Sequence, residues 1–474
     1  MAERALRWMP PALLCVLFGA VAIRASRPIG DPDDWWHLRL GNDLIDQHSL
    51  AAPHWSVFAS VPWVPTEPLP EITAAYVNRW FGLPGLAVLF AAAALVVVLT
   101  VHAVCRLHAA ALPAAVTTVV TVLAITGSLS PRPQLVSFVL LPVVVEAWLR
   151  SEHDHRVRWW LVPLSWAWSL CHGFWFIGVG YGFLFVAGFA LSRKMPAAVL
   201  LRQFAVAVAS LAVVALNPVG LGVLKAPLAV NSTSSYIQEW ARTDLTSAAA
   251  LASLAMVLVT AAVWATTRRG LTWPGVLVLV SALVWTWYAG RTVAVAGLVV
   301  APLLAGALDQ LVRAGSSIPD GSHERFWFRR SEALVLTVSA AVAATVVAIV
   351  APVTAVRPGD VPTTLNGALD RLPPGTRVFN DYALGGWIAW RHPDLQQYID
   401  GLITPYSERH AHDYVVGESA SPGWSRIVNA SGATAALLGE HSPLVDKLAD
   451  RGWTMRGTDA GYVLLTAPAG RSPG

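Results

Sequence analysis

Asp31, Asp33, Asp34 and His37 fall within seven positions of the stretch Gly30-Asp31-Pro32-Asp33-Asp34-Trp35-Trp36-His37-Leu38. Carboxylates and an imidazole at this density offer hard oxygen and nitrogen donors to a divalent cation such as Mg²⁺ or Mn²⁺. A carboxylate here can also take the proton of an acceptor hydroxyl while a group is transferred to it. Asp33 and Asp34 are therefore candidate catalytic groups, and with His37 they are candidate metal ligands. The competing account is structural: residues 34–47 can form a short helix, which Asp33 or Asp34 would cap while the others are solvated. A capping side chain is occupied by backbone N–H groups. Asp34, just before Trp35, is the expected cap, which leaves Asp33 as the chemical residue.

Further along, polar residues recur at the edges of apolar runs. They are Glu67, Arg132 in Ser130-Pro131-Arg132-Pro133-Gln134, His172 before Gly173, Asn217-Pro218, Glu239-Trp240, and Arg291 in Gly290-Arg291-Thr292. Polar groups beside apolar segments are costly and tend to line cavities or pathways. Each has a plain alternative: the arginines can snorkel to headgroups, His172 can satisfy an interhelical hydrogen bond, and Asn217 can end a helix. Two cations and several carboxylates on one predicted face together point to a site for an anionic, membrane-borne substrate. Asp31, His37, Glu67, Arg132, His172, Glu239 and Arg291 form its expected substrate-binding set. His102, His108 and Glu146 read as helix-end residues, and the segment from Arg150 to Arg158 as a solvated turn.

The elements that must carry these residues are membrane helices. The chain has 474 residues, 55% hydrophobic and 13% charged, about half the charge of an ordinary soluble domain, roughly 25%. Apolar runs predict about eleven spans, at 8–25, 84–104, 112–129, 134–149, 159–171, 173–191, 200–216, 247–266, 273–289, 291–308 and 332–355. Pro163 and Gly173 also allow 159–191 to be one bent helix. The net charge of +4 does not indicate nucleic acid, because the basic residues sit in short clusters between apolar runs. Cys15, Cys105 and Cys171 lie in or beside apolar segments, so neither a disulfide framework nor a zinc ribbon is indicated. With the N-terminus inside, fifteen Lys and Arg residues fall on the cytoplasmic side and eight on the longer outer segments before residue 356, as the positive-inside rule requires. Residues 1–355 thus form a transmembrane domain whose first outer loop is 26–83. Residues 356–474 form a small extracytoplasmic α/β domain, with strands near 376–380, 396–400, 433–438 and 461–466.

The ordered set Asp31-Pro32-Asp33-Asp34-Trp35-Trp36-His37, Gly41, Trp63, Glu67, Arg132-Pro133-Gln134, His172-Gly173, Asn217-Pro218, Glu239-Trp240 and Arg291 resembles a bacterial family of polytopic membrane proteins grouped with the GT-C glycosyltransferases. Val378-Phe379-Asn380-Asp381-Tyr382, Gly385-Gly386 and Tyr398-Ile399-Asp400-Gly401 look like that family's outer domain. The resemblance implies an inner-membrane transferase that takes a sugar from a polyprenyl-phosphate lipid and gives it to an envelope glycan or protein, with inversion at the anomeric carbon. The family's acidic motif falls on Asp31, Asp33 and Asp34, three candidates with a proline after the first, so the base is not singled out. The rival readings are a transporter or flippase for a lipid-linked intermediate, and a non-catalytic scaffold. The absence of an inverted repeat and the few polar residues at mid-membrane depth speak against transport. Protease added to intact spheroplasts is expected to cut between residues 356 and 474. Full protection of that segment would reverse the orientation.

Overall fold

The computed structural model describes residues 2–50, 56–60, 64–225, 240–314 and 330–468. It divides into two compact units. One holds the described residues of Met1–Ser26, Val88–Leu224 and Ile237–Ala351; the other holds those of Arg27–Ala87, Lys225–Tyr236 and Pro352–Gly474. The division differs from a cut at residue 355, because the described residues of 27–87 pack as part of the same body as the C-terminal segment.

The first unit is helical. Among the described residues of the chain, nine helices are long and apolar enough to cross a membrane: Trp8–Ala25, Pro68–Arg106, Ala111–Ser128, Gln134–Asp154, Trp175–Ser192, Ala197–Leu216, Ala248–Thr267, Gly290–Ala314 and Glu332–Thr354. Trp273–Tyr288 is a shorter apolar helix. The eleven expected spans differ from this set mainly at 159–171, where the helix is only Leu161–Trp168, about 12 Å at 1.5 Å per residue. A turn carrying His172 separates it from Trp175–Ser192, so 159–191 is two helices rather than one bent one. Gly290–Ala314 is the most enclosed span, and its residues from Val293 to Ala305 are buried throughout.

The second unit combines a sheet with several helices, among them the second helix of the chain and the first part of the third. We label the first three helices of the chain α1 (Ala2–Ala25), α2 (Pro32–Gln47) and α3 (Pro68–Arg106). Helix α2 starts earlier than the sequence reading placed it. Its cap is Asp31, which accepts a hydrogen bond from the Asp33 N–H, and Pro32 takes the first helical position. The expectation that Asp33 or Asp34 caps is thereby corrected. Proline is favoured at a helix's first position, where its missing N–H has no partner to lose, and this moves the cap back to the residue before it. Helix α3 has non-helical backbone angles at Gly82, with φ at +64°, which glycine adopts without a Cβ penalty.

Gly41 sets the crossing of α2 and α3. A Cβ at that position would lie 2.1 Å from the Glu71 carbonyl oxygen and 2.8 Å from the Ala75 Cβ, so only glycine lets the two helices approach this closely. The sheet, in the order β2-β1-β3-β5-β4, consists of β1 (Arg377–Asn380), β2 (Gln396–Gln397), β3 (Ala435–Gly439), β4 (Thr454–Asp459) and β5 (Tyr462–Thr466). β1 runs parallel to β2 and β3, while β5 runs antiparallel to β3 and β4. Strand β4 gave no sequence signal because it is a largely exposed edge with a bulge between Met455 and Gly457.

The helix Gly385–Arg391, between β1 and β2, packs on α2. Trp35 is fully buried and stands edge-on to Trp387 at 5.0 Å, with Trp390 at 5.3 Å. Arg39 donates to the Ala389 carbonyl at 2.7 Å, and Trp36, Leu40, Ala389 and Leu402 form an apolar cluster. Aromatic pairs of this kind contribute roughly 0.5–1.5 kcal/mol beyond the area they bury. Substituting Gly41→Ala is expected to destabilise the protein by about 1–3 kcal/mol through overpacking. Gly19→Ala, on α1 with nothing within 4 Å of the added methyl, is expected not to. Thermal midpoints in detergent decide it: equal midpoints for the two variants would mean that the crossing opens without cost.

Candidate functional site

His37 and Gly41 are one turn apart on α2, so they share a face. Glu67 and Glu71 are likewise one turn apart, with Glu67 just ahead of α3 and its carbonyl accepting the Glu71 N–H. The Gly41 crossing therefore brings His37 between the two carboxylates. Its Nδ1 is 3.0 Å from Glu71 Oε1, and its Nε2 is 3.7 Å from Glu67 Oε2. His37 is 6% exposed and Glu71 only 1%. Glu71 Oε2 has no hydrogen-bond partner among the described residues. Among those residues this is the one group of three His, Cys, Asp or Glu side chains whose donor atoms all lie within 4.8 Å of one another.

The sequence grouped His37 with Asp33 and Asp34 for metal and placed Glu67 in the substrate set. The geometry instead joins His37 to Glu67 and to Glu71, which is not among the residues expected from sequence. The signal that could have found Glu71 is its position four residues after Glu67 at a helix start. Asp31 serves as the cap. Asp34 is 5% exposed, whereas Asp33 is half-buried and faces Gly401. A Cβ at 401 would come within 2.5 Å of Asp33 Oδ1 and 3.3 Å of the Trp36 indole nitrogen. Tyr382 donates its hydroxyl to the Gly401 carbonyl at 3.1 Å. Glu239 and Trp63 lie outside the described residues.

In the helical unit, His172 is buried at the break between Leu161–Trp168 and Trp175–Ser192. The Trp168 indole N–H donates to Ser137 Oγ at 2.7 Å, and Ser137 Oγ lies 2.8 Å from His172 Nδ1. The Phe174 N–H also donates to that nitrogen, so in the neutral ring the proton sits on Nε2. Asn217 donates to the Ser169 carbonyl and Oγ of the same break and closes its own turn onto Val219. Arg291 lies in the single turn Gly290–Thr292 that opens the helix Val293–Ala314, within electrostatic range of His172. Its guanidinium and the helix N-terminus both carry positive charge and both attract anions. Arg132 is half-buried, on the turn ahead of Gln134–Asp154.

Beside the sheet, Asp381 follows β1 and caps the turn Tyr382–Leu384 through the Ala383 N–H. Burial holds its carboxyl above the ordinary aspartate range. Burial, with Asp381 next in effect, pushes the Tyr462 phenol up to about 12 and raises Tyr414 well above its ordinary value. Asp400 has no exposure and is bound by the Tyr406 hydroxyl at 2.7 Å, Gln397 Nε2 at 3.2 Å and the Leu402 N–H at 3.0 Å. These contacts give Asp400 a structural turn role.

Helices long enough to span a bilayer, with an acid-bearing loop after the first of them and a small sheet domain at the C-terminal end, define a polytopic membrane protein of GT-C-like fold. Solved structures bear this out. The Archaeoglobus fulgidus oligosaccharyltransferase in its apo form matches with a TM-score of 0.56 at 14% identity, over 91% of this chain and 70% of that one. ArnT from Cupriavidus metallidurans bound to undecaprenyl phosphate matches with a TM-score of 0.50 at 14% identity, over 96% and 98%. A zinc- and sulfate-bound form of the Archaeoglobus enzyme matches with a TM-score of 0.50 at 14% identity, over 96% and 74%. No family model and no curated protein matches the chain.

The sheet domain carries a pH dependence of its own. Burial lowers the His410 and His392 imidazoles below the ordinary value of 6.5. His410 Nε2 donates to the Tyr398 carbonyl at 2.8 Å. Because the folded pKa values lie below the unfolded ones, this stability is present above pH 6.5 and is lost as pH falls through the folded values. Asp381, with a raised pKa, acts in the opposite direction, so a variant must isolate the imidazole. Between pH 7.5 and 5.5 the wild-type thermal midpoint is expected to fall further than that of His410→Gln. Equal falls would show that this ring does not carry the effect.

Proposed function

We propose that the chain is a membrane glycosyltransferase that moves a sugar from a polyprenyl-phosphate donor to an envelope acceptor, glycan or protein, on the extracytoplasmic face of a bacterial inner membrane. The observation that carries this reading is the group His37, Glu67 and Glu71, two of them buried, one turn from Asp33 in the segment after the first helix of a GT-C-like fold. ArnT, a structural neighbour, is seen with undecaprenyl phosphate, and the oligosaccharyltransferase has been captured with an acceptor peptide. The placement of Lys and Arg supports a cytoplasmic N-terminus and an external C-terminal domain.

In this reading Asp33 takes the proton of the acceptor hydroxyl as its oxygen forms the new bond to the anomeric carbon. The bond from that carbon to the phosphate oxygen breaks on the opposite side, which inverts the centre. Asp33 is preferred over Asp34 because it is the more open of the two now that Asp31 serves as the cap. Arg132 and Arg291 are assigned to the lipid phosphate, since guanidinium pairs with phosphate in bidentate fashion. Asp31, His37, Glu67, His172 and Glu239 complete the assigned binding groups. A divalent cation, Mg²⁺ or Mn²⁺, belongs to the reading and would supply positive charge to the leaving phosphate.

Cells lacking the gene are expected to accumulate one polyprenyl-phosphate sugar and to lose the matching envelope modification. At matched membrane levels, Asp33→Asn is expected to cost about 10²-fold or more in transfer, and Asp34→Asn less. Unchanged lipid-linked sugars together with near-wild-type transfer in both variants would remove the case for catalysis.

A further inference from the structure

We propose that His37, Glu67 and Glu71 form a centre for one divalent transition-metal ion, Mn²⁺ or Zn²⁺, rather than the Asp33, Asp34 and His37 set expected from sequence. Each carboxylate faces a different nitrogen of one imidazole, at 3.0 and 3.7 Å. In the tautomer whose Nδ1 proton is held by Glu71 Oε1, the Nε2 lone pair is turned toward Glu67. Two ligands on bonds of about 2.1 Å at a tetrahedral angle stand roughly 3.4 Å apart, so the Nε2 to Oε2 gap needs only a few tenths of an ångström to close on an ion. Glu71 then plays the outer role common at metal-bound histidines, fixing the tautomer and the ring plane.

A second, independent observation points to a ligand. Glu71 is almost wholly buried, yet Oε2 of the carboxylate that grips His37 has no hydrogen-bond partner among the described residues. A buried oxygen in that condition costs about 1–3 kcal/mol, and a water on the ion would satisfy it. The imidazole sets the class of ion, because nitrogen ligands favour Mn²⁺ and Zn²⁺ over Mg²⁺ and Ca²⁺.

What such an ion does, holding a phosphate oxygen, rests on the transferase reading; its binding does not. The test uses the purified full chain in nanodiscs, with free Mn²⁺ followed by its electron paramagnetic resonance signal and no substrate present. One Mn²⁺ per chain is expected, displaced by Zn²⁺ and not by equimolar Mg²⁺. Glu67→Gln, at the less buried and more tolerant position, is expected to weaken Mn²⁺ binding at least 10²-fold, and Glu71→Gln by about 10- to 100-fold. If Glu71→Gln fails to fold, Glu67→Gln decides alone. Wild-type protein that takes up neither Mn²⁺ nor Zn²⁺, or a folded Glu67→Gln protein with unchanged affinity, would overturn the centre. Either result leaves the lipid-linked sugar experiment unaffected.

Discussion

At Gly41 the backbone of α2 comes so close to Glu71 that an added methyl carbon would sit 2.1 Å from the carbonyl oxygen. Much else in this unit depends on that approach. It fixes the rotation of α2 about its axis, and one turn earlier the same face carries His37 into the space between Glu67 and Glu71. The neighbouring side of α2 is fixed in a similar way by Gly386, where a Cβ would be 3.0 Å from the Pro32 carbonyl oxygen and the Trp36 nitrogen. A helix held by backbone contact on two sides has little freedom to rotate or slide. Its ionisable side chains are thus placed by steric exclusion, with hydrogen bonds added afterwards. Interiors pack at crystal-like density and transmit strain, so a displacement at either glycine would be felt at His37.

The same contacts explain why the segment after the first helix and the C-terminal segment form one body. Trp35, Trp387 and Trp390 cluster on the α2 face, edge-on or tilted to one another, and Ser56 and Ser60 tie the loop to the Gln397 and Pro405 carbonyls. The sheet domain supplies the wall against which the acidic helix is set. Gly401 shows this at the level of one atom: its missing side chain leaves room for Asp33, and Tyr382 holds its carbonyl.

The sequence made the membrane helices legible because apolar runs near twenty residues long have few other uses. It also exposed the parallel strands β1 and β3, whose buried apolar runs stand out between turn residues. It exposed β4 poorly, because that strand is a largely exposed edge and carries no alternation. The cap of α2 was misplaced by two or three residues, since Asp31, Asp33 and Asp34 are equivalent in composition and only the preference of Pro32 for a first helical position separates them. Within the site, His37 and Glu67 were visible as polar residues out of place. Glu71 was not, because its burial arises from a helix crossing at Gly41, a tertiary event with no local signature.

The polar residues inside the helical unit bear on what kind of membrane protein this is. Thr118, Thr121, Thr260 and Thr286 return their hydroxyls to the carbonyl four residues back in their own helices, and Ser253 pairs with Thr286 across a helix contact. The ionisable residues are matched to one another: His102 and Arg106 with Glu332, Glu146 with His108 and Arg150, and Asp309 with Arg313. A transport path needs polar groups that exchange partners with a moving substrate through the depth of the bilayer. Hydroxyls closed onto their own helix backbone, and charges closed into pairs within or between helices, are satisfied by the protein itself. Among the described residues, His172 and Arg291 sit at breaks between helices, and the acidic group sits on α2 and at the start of α3.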